Sequence, residues 1–426
     1  MGEGTPASRS VRTASGDGVP VAENLPGGRR VGRVAVLVTV LAAASAGYET
    51  WHLLGPVLGQ QGRYTFLDLQ VYRAGVHAYL GARPLYSATF TDVRLPFTYP
   101  PFGVLALAVT ALGTVRQAAA VLTFVDALLV IAMSTVCAWA ALRPAGASRL
   151  TAAAVGLGSA ALAMRLEPVT ATVGFGQVNV VLCAAVVLDA LVVPSRYRGV
   201  LTGLATAVKL TPAVFLVYYL LTRQRGPAAR QLLTALGASL LAVLAAPGSS
   251  RRFWTSLVAS DRVGPVWYTS NQSLRGVVAR LLGPGPGATL GWVLTSAGAG
   301  VLAVWAIRRA DRHGARVLAL GVCGLLALLV SPISWSHHWV WALPAVLGAV
   351  CERVAPAVRV AGTALAVALW VGPQWKVPYT ADRERHWTPW QHLVGDLYVW
   401  LALALVLAVG LGVRAAVTVR GPTTLD

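Results

Sequence analysis

A dozen apolar runs, most of them joined by short arginine-bearing connections, divide this chain of 426 residues. They fall at about residues 34–54, 99–113, 117–141, 150–165, 178–193, 199–222, 229–246, 288–307, 315–330, 338–351, 357–372 and 394–413. A helix needs about 20 apolar residues to cross about 30 Å of hydrocarbon. Several runs are shorter than that, yet their repetition leaves no room for a soluble fold. Composition agrees: 56% of residues are hydrophobic and 12% charged, roughly half the charged share of a soluble domain. The expected fold class is an all-α polytopic membrane protein, with residues 31–420 as a single transmembrane domain. Residues 1–30 are Gly-, Pro- and Ser-rich without apolar periodicity and read as a disordered cytoplasmic tail.

Charge sets the orientation. Lysine plus arginine total 35 against 16 acids, a net charge of +19. Such a balance suits a nucleic-acid binder in a soluble protein. Here most arginines sit in short connections, where the positive-inside rule explains them and no nucleic acid is needed. Arg29, Arg30 and Arg33 precede the first run, which reads as an uncleaved signal anchor. Ala44-Ser45-Ala46 resembles a signal-peptidase site, but the apolar run continues beyond it. The four cysteines, Cys137, Cys183, Cys323 and Cys351, lie in apolar stretches and read as small buried hydrophobes rather than a disulfide or zinc framework.

Counted run by run, the chain crosses twelve times with both termini inside. Arg223, Arg225, Arg230, Arg308, Arg309, Arg312, Arg316, Arg353, Arg359, Arg414 and Arg420 obey that parity, whereas Arg143, Arg149, Arg196 and Arg198 fall outside. Bringing those four inside requires 99–113 and 199–222 to dip in without crossing, which gives ten spans. Twelve is the preferred count. On either count four polar stretches, 59–98, 247–287, 331–337 and 373–391, face outward. Helical connections need only a few residues, so stretches this long and rich in Trp, Tyr, Asn, Gln and His are where a substrate site is expected.

Within the first stretch, FLDLQVYRAGVHAYLGARPLY carries the spacing of an amphipathic helix lying along the membrane interface. Asp68 at its start is either an N-cap or a general base whose proton affinity is raised by desolvation near hydrocarbon. LPFTYPPFG marks a helix start at its prolines, with Tyr99 at the interface. Gln177 and Asn179 in GFGQVN head a span, as caps or as amides that bind sugar hydroxyls. Lys209 in AVKLTP is a lone cation between apolar stretches. Such a charge marks function by default, either holding a phosphate as a point charge or snorkelling to an interface.

Asn271, Gln272 and Ser273 lead an amphipathic helix bearing Arg275 and Arg280, placed either for capping and lipid headgroups or for a phosphate ligand. SPISWSHHWVWALP brings His337 and His338 among Trp335, Trp339 and Trp341. Adjacent histidines on a helix point about 100° apart, and no HExxH or DxD pattern occurs, so a metal site is disfavoured. Sugar stacking on tryptophan with imidazole contact to a phosphate or hydroxyl suits this stretch; a plain aromatic belt is the alternative. Trp375, Lys376, Tyr379, Asp382, Arg383, Glu384, His386, Trp387 and Trp390 make a further possible carbohydrate surface.

DLQVYRAG, GARPLY, LPFTYPP, GQVN, VKLTP, NQSLRG and SPISWSHHW, in that order over about residues 60–344, resemble glycosyltransferase family 87. These are the actinobacterial polyprenol-phosphate-mannose-dependent α-(1→2)-mannosyltransferases. The resemblance implies a GT-C architecture in the plasma membrane, with an extracytoplasmic active site. It implies a polyprenyl-phosphate mannose donor, a glycolipid or glycan acceptor, and inversion without metal or cofactor. Asp68 matches the family's acidic base, and His337 and His338 match its histidine region. Lys209, Gln177, Asn179, Tyr99, Asn271, Gln272, Arg275 and Trp335 are then expected around the donor phosphate and sugar. A lipid-linked sugar flippase or a non-catalytic glycan-assembly protein are the alternatives, and no convincing internal repeat supports the first.

Overall fold

The computed structural model describes residues 1–2, 26–59, 64–256 and 264–412. Of the disordered tail expected at 1–30, residues 3–25 lie outside the described residues, while 26–30 belong to the first helix. Helices build the rest: α1 (Pro26–Leu58), α2 (Leu67–Leu80), α3 (Pro101–Leu107), α4 (Val115–Leu142), α5 (Arg149–Ala163) and α6 (Glu167–Phe175) come first. They are followed by α7 (Asn179–Leu191), α8 (Val200–Val208), α9 (Phe215–Leu221), α10 (Arg225–Ala245), α11 (Pro247–Ser256) and α12 (Leu274–Leu282). The last are α13 (Pro286–Arg312), α14 (Arg316–Val330), α15 (Leu343–Cys351), α16 (Pro356–Val371), α17 (Pro389–Gly395) and α18 (Leu397–Gly412). A two-residue antiparallel pair joins Thr89–Phe90 to Leu95–Pro96. The protein is an all-helical, multi-pass membrane protein.

Among the described residues, five helices are long and apolar enough to cross a bilayer unaided, and two further pairs, α5 with α6 and α17 with α18, pass that test as bent units. The remaining passes are short because they run inside the bundle. Every residue of α14 from Val317 to Leu329 is buried. It meets α15 through small residues: a Cβ on Gly321 would lie 2.3 Å from the backbone of Ala345, and one on Gly348 would lie 2.7 Å from the Leu318 nitrogen. Backbones approach this closely in membranes because lipid supplies no hydrophobic drive between helices, so packing must.

Side-chain links between helix ends fix how often the chain passes from one end of the bundle to the other. Arg73 on α2 donates to the carbonyls of Thr110, Leu112 and Gly113. The segment from α3 onward therefore returns to α2 instead of crossing. Thr114 and Gln117 then form a capping box that starts α4 at that same end, and α4 carries Arg143 and Arg149 to the far end. The α1 and α5 helices run parallel, joined by Thr39 to the Leu150 carbonyl low down and by Glu49 to Arg165 high up.

A second segment turns back in the same way. The carboxylate of Asp189, near the end of α7, accepts from the backbone of Gly199 at 2.8 Å and from the hydroxyl of Tyr219 at 3.0 Å. Between those two residues the chain climbs α8 to Lys209, whose Nζ reaches Asn179 Oδ1 at 2.8 Å, and then descends past Pro212 through α9. Ten residues up and ten down, at about 1.5 Å per residue, give a hairpin about 15 Å tall.

Arg230 donates to the Arg198 carbonyl at 2.7 Å, so Arg196, Arg198 and Arg230 share one end. Glu352 caps the start of α14 at Val317 and Leu318, and Ala355 bonds Gly412. Among the described residues, ten segments thus run from one end of the bundle to the other: α1, α4, α5 with α6, α7, α10, α13, α14, 336–351, α16 and α18. Twelve crossings were the preferred expectation; 99–113 and 199–222 turn back, at Arg73 and at Pro212. The count of ten also gathers Arg143, Arg149, Arg196 and Arg198 with the other basic connections at one end.

Candidate active site

At the end opposite the basic connections a cavity of about 720 Å³ opens among α2, the 95–99 segment, the tip of the α8–α9 hairpin, and the loops around 265–270, 332–338 and Trp375. Asp68, Tyr99, Gln177, Lys209, Trp335, His337 and His338, all singled out in the sequence, line this one space.

Asp68 is not the cap of α2. That position is Phe66, in the left-handed conformation and without a side-chain cap. Its backbone N–H donates to the Gly174 carbonyl at 2.9 Å, which ties the start of α2 to the end of α6. Asp68 sits one position inside the helix start, where the helix dipole favours a carboxylate. Gly176, at φ +67°, closes α6 and turns Gln177 toward it. A Cβ on Gly176 would lie 2.6 Å from Leu69, so both the backbone angle and the space require glycine there.

One directed chain of hydrogen bonds crosses the floor. The Lys209 ammonium can only donate, and it reaches the Tyr99 hydroxyl at 3.3 Å. The Tyr99 and Tyr72 hydroxyls lie 2.6 Å apart, and both donate to Gln177 Oε1, at 2.9 and 2.7 Å. With its oxygen so occupied, Gln177 offers its amide nitrogen to the Asp68 carboxylate, its hydrogen-bond partner. Burial pushes the Asp68 carboxyl above the usual carboxylate range; the Gln177 hydrogen bond and the Lys209 charge offset part of that rise. A raised proton affinity suits a carboxylate to take up the acceptor proton.

On the opposite wall His338 Nε2 lies 3.4 Å from Lys209 Nζ, which assigns that nitrogen as an acceptor. His337 stands edge-on to it, ring centroids 4.7 Å apart. Among the described residues neither ring nitrogen of His337 has a partner. The backbone of His337 is held by Thr172 at 3.0 Å and Asn179 at 3.4 Å. Asn179 is therefore a bracket between Lys209 and the histidine segment and is itself fully buried. Among the described residues no three His, Cys, Asp or Glu side chains form a metal-holding group.

Three residues expected at the ligand, Asn271, Gln272 and Arg275, are not among the residues lining this cavity. Asn271 donates to Val266 and accepts from Ser334, and Gln272 donates to Thr269 and Gly395. The Asn271 amide is paired at both ends with backbone groups, and the Gln272 amide nitrogen with two backbone carbonyls. Arg275 lies over the Trp292 ring, 5.3 Å from its centroid. Arg280 reaches neither headgroup nor phosphate. It is fully buried against Asp396 and donates to the carbonyls of Trp267, Tyr268 and Asn271.

Sequence reasoning missed Glu167, whose carboxylate accepts from Ser336, Trp375 and Tyr398 at 2.7, 2.9 and 3.1 Å. A lone acid followed by Pro168 between apolar runs was its only signal. Tyr72 was legible only as part of an apolar helix face.

The sequence model of glycosyltransferase family 87 matches residues 97–332. A polyprenol-phosphate-mannose-dependent α-(1-2)-phosphatidylinositol mannoside mannosyltransferase of Mycolicibacterium smegmatis is 38% identical over 409 residues, 89% of each chain. Its namesake in Mycobacterium tuberculosis is 36% identical over 416 residues, covering 92% of this chain and 94% of that one. ArnT from Cupriavidus metallidurans, solved with undecaprenyl phosphate, covers 91% of this chain and 77% of its own at 15% identity and a TM-score of 0.38.

Proposed function

This chain belongs to glycosyltransferase family 87 and is a membrane glycosyltransferase, and from that premise we propose that it moves a mannosyl residue from polyprenyl-phosphate mannose to the 2-hydroxyl of a phosphatidylinositol mannoside. The reaction takes place on the extracytoplasmic face of the plasma membrane. The arginines of the short connections, Arg143, Arg149, Arg196, Arg198 and Arg230 among them, lie at the end away from the cavity, which supports this sidedness by the positive-inside rule.

The observation that carries the reading is that Asp68 and Lys209 face one cavity from different elements. Asp68 takes the proton of the acceptor hydroxyl as its oxygen attacks the anomeric carbon. The new carbon–oxygen bond forms opposite the bond to the leaving phosphate oxygen, so a β-mannosyl phosphate gives an α-mannoside. Polyprenyl phosphate departs with the bonding pair, and its growing charge meets the Lys209 ammonium and the imidazole wall. Phosphate is already a good leaving group, so positioning and charge neutralisation carry most of the rate gain.

The test is purified protein in vesicles, given radiolabelled polyprenyl-phosphate mannose and a mannoside acceptor. Label appearing in the acceptor through an α-(1→2) bond is expected. Movement of donor between leaflets, or binding without transfer, overturns the assignment.

A further inference from the structure

The cavity lining combines two kinds of chemistry. Lys209 supplies a cation, while Tyr268, Trp335 and Trp375 form an aromatic corner in the same lining. We propose that this corner is the acceptor subsite, where a sugar ring of the mannoside acceptor stacks while its hydroxyl is presented to Asp68. The proposal rests on the transfer reading above and divides that one cavity between two substrates.

The three rings meet at steep angles. Tyr268 lies 6.1 Å from Trp335 and 6.3 Å from Trp375, tilted by 67° and 63°. All three residues line the cavity and are only half-buried, so each keeps surface for a ligand. A pyranose offers an apolar C–H face ringed by hydroxyls, so it needs an aromatic face with hydrogen-bonding atoms beside it. Among the described residues neither the Tyr268 hydroxyl nor the Trp335 indole N–H makes a hydrogen bond. Neither is a buried orphan, so both remain available to a ligand. A phosphate is better met by the Lys209 ammonium.

The corner is held rigid from behind. Glu167 accepts the Trp375 indole N–H at 2.9 Å, Arg280 donates to the Tyr268 carbonyl at 3.2 Å, and Trp335 pairs by its backbone with Asn271. Rings fixed before the ligand arrives lose little entropy on binding, which is what a stacking site requires.

The experiment varies each substrate separately, with wild type, Trp335→Ala and Tyr268→Phe in vesicles. Truncating a stacking anchor is expected to raise the acceptor KM by about tenfold or more while the donor KM stays within about twofold, a small change against the tenfold per 1.4 kcal/mol scale. Tyr268→Phe keeps the ring, so it carries the test should Trp335→Ala misfold; a smaller rise confined to the acceptor is expected. A rise in donor KM with the acceptor KM unchanged overturns the assignment. Wild type that transfers no label overturns instead the reading on which it rests.

Discussion

The Tyr72 hydroxyl donates to Gln177 Oε1 over 2.7 Å, and this contact decides which end of the Gln177 amide meets Asp68. Because the Lys209 ammonium has protons only to give, the whole sequence of donors from Lys209 through the two tyrosines runs toward the carboxylate.

The pH dependence of transfer follows from that direction. Burial raises the Asp68 carboxyl above its ordinary range, and a base must be ionised to act. The kcat/KM therefore falls as pH drops through that raised value and levels off above it. In the double variant Tyr72→Phe, Tyr99→Phe the amide loses both donors and is free to reverse. Its oxygen then faces a carboxyl that is favoured protonated, so the acid limb moves up by about one pH unit, or about 1.4 kcal/mol. Activity lost at neutral pH returns in more alkaline buffer. A uniform loss with an unmoved limb contradicts the orienting role.

Removing the Lys209 charge acts on the donor. Lys209→Met keeps the side-chain length and is expected to lower kcat/KM for polyprenyl-phosphate mannose by about 10- to 100-fold, the equivalent of about 1.5–3 kcal/mol for a hydrogen bond to a charged group. Steady-state rates at saturating acceptor measure it. An effect confined to the acceptor contradicts it.

The hairpin that carries Lys209 depends on Asp189. Its carboxylate oxygen accepts from the backbone of Gly199 and Thr202, the Thr202 hydroxyl and the Tyr219 hydroxyl. Asp189→Ala leaves these buried donors unmet, at about 1–3 kcal/mol for each. The melting temperature in detergent is expected to fall by several degrees, with a smaller fall for Asp189→Asn, which keeps an acceptor oxygen. An unchanged melting temperature contradicts the bracing role.

Much of the site was legible in residue type and position. A polar or charged side chain at a hydrocarbon boundary has few structural reasons to be there, and Asp68, Gln177, Lys209 and the histidine pair all sit at such boundaries and converge. The amphipathic helix at Leu67–Leu80 followed from its apolar spacing. Hydropathy measures how long a run is, not whether it crosses, so the two segments that turn back were read as spans. What returns them is contact across sequence: Arg73 with 110–113, and Asp189 with Tyr219. The same limit hid Glu167 and the Arg280–Asp396 pair, whose partners lie more than a hundred residues away. Asn271 and Gln272 carried ligand-binding chemistry in a loop expected to face outward, but the fold buries both and turns the Asn271 amide and the Gln272 amide nitrogen to backbone groups.

The most direct measurement compares Asp68→Asn with wild type for transfer and for donor binding in the same preparation. Asparagine keeps the size and the contact to Gln177 but cannot take up the acceptor proton. Transfer is predicted to fall to background while radiolabelled polyprenyl-phosphate mannose binds with near-normal affinity. A folded Asp68→Asn enzyme that turns over at the wild-type rate would contradict the assignment of the base.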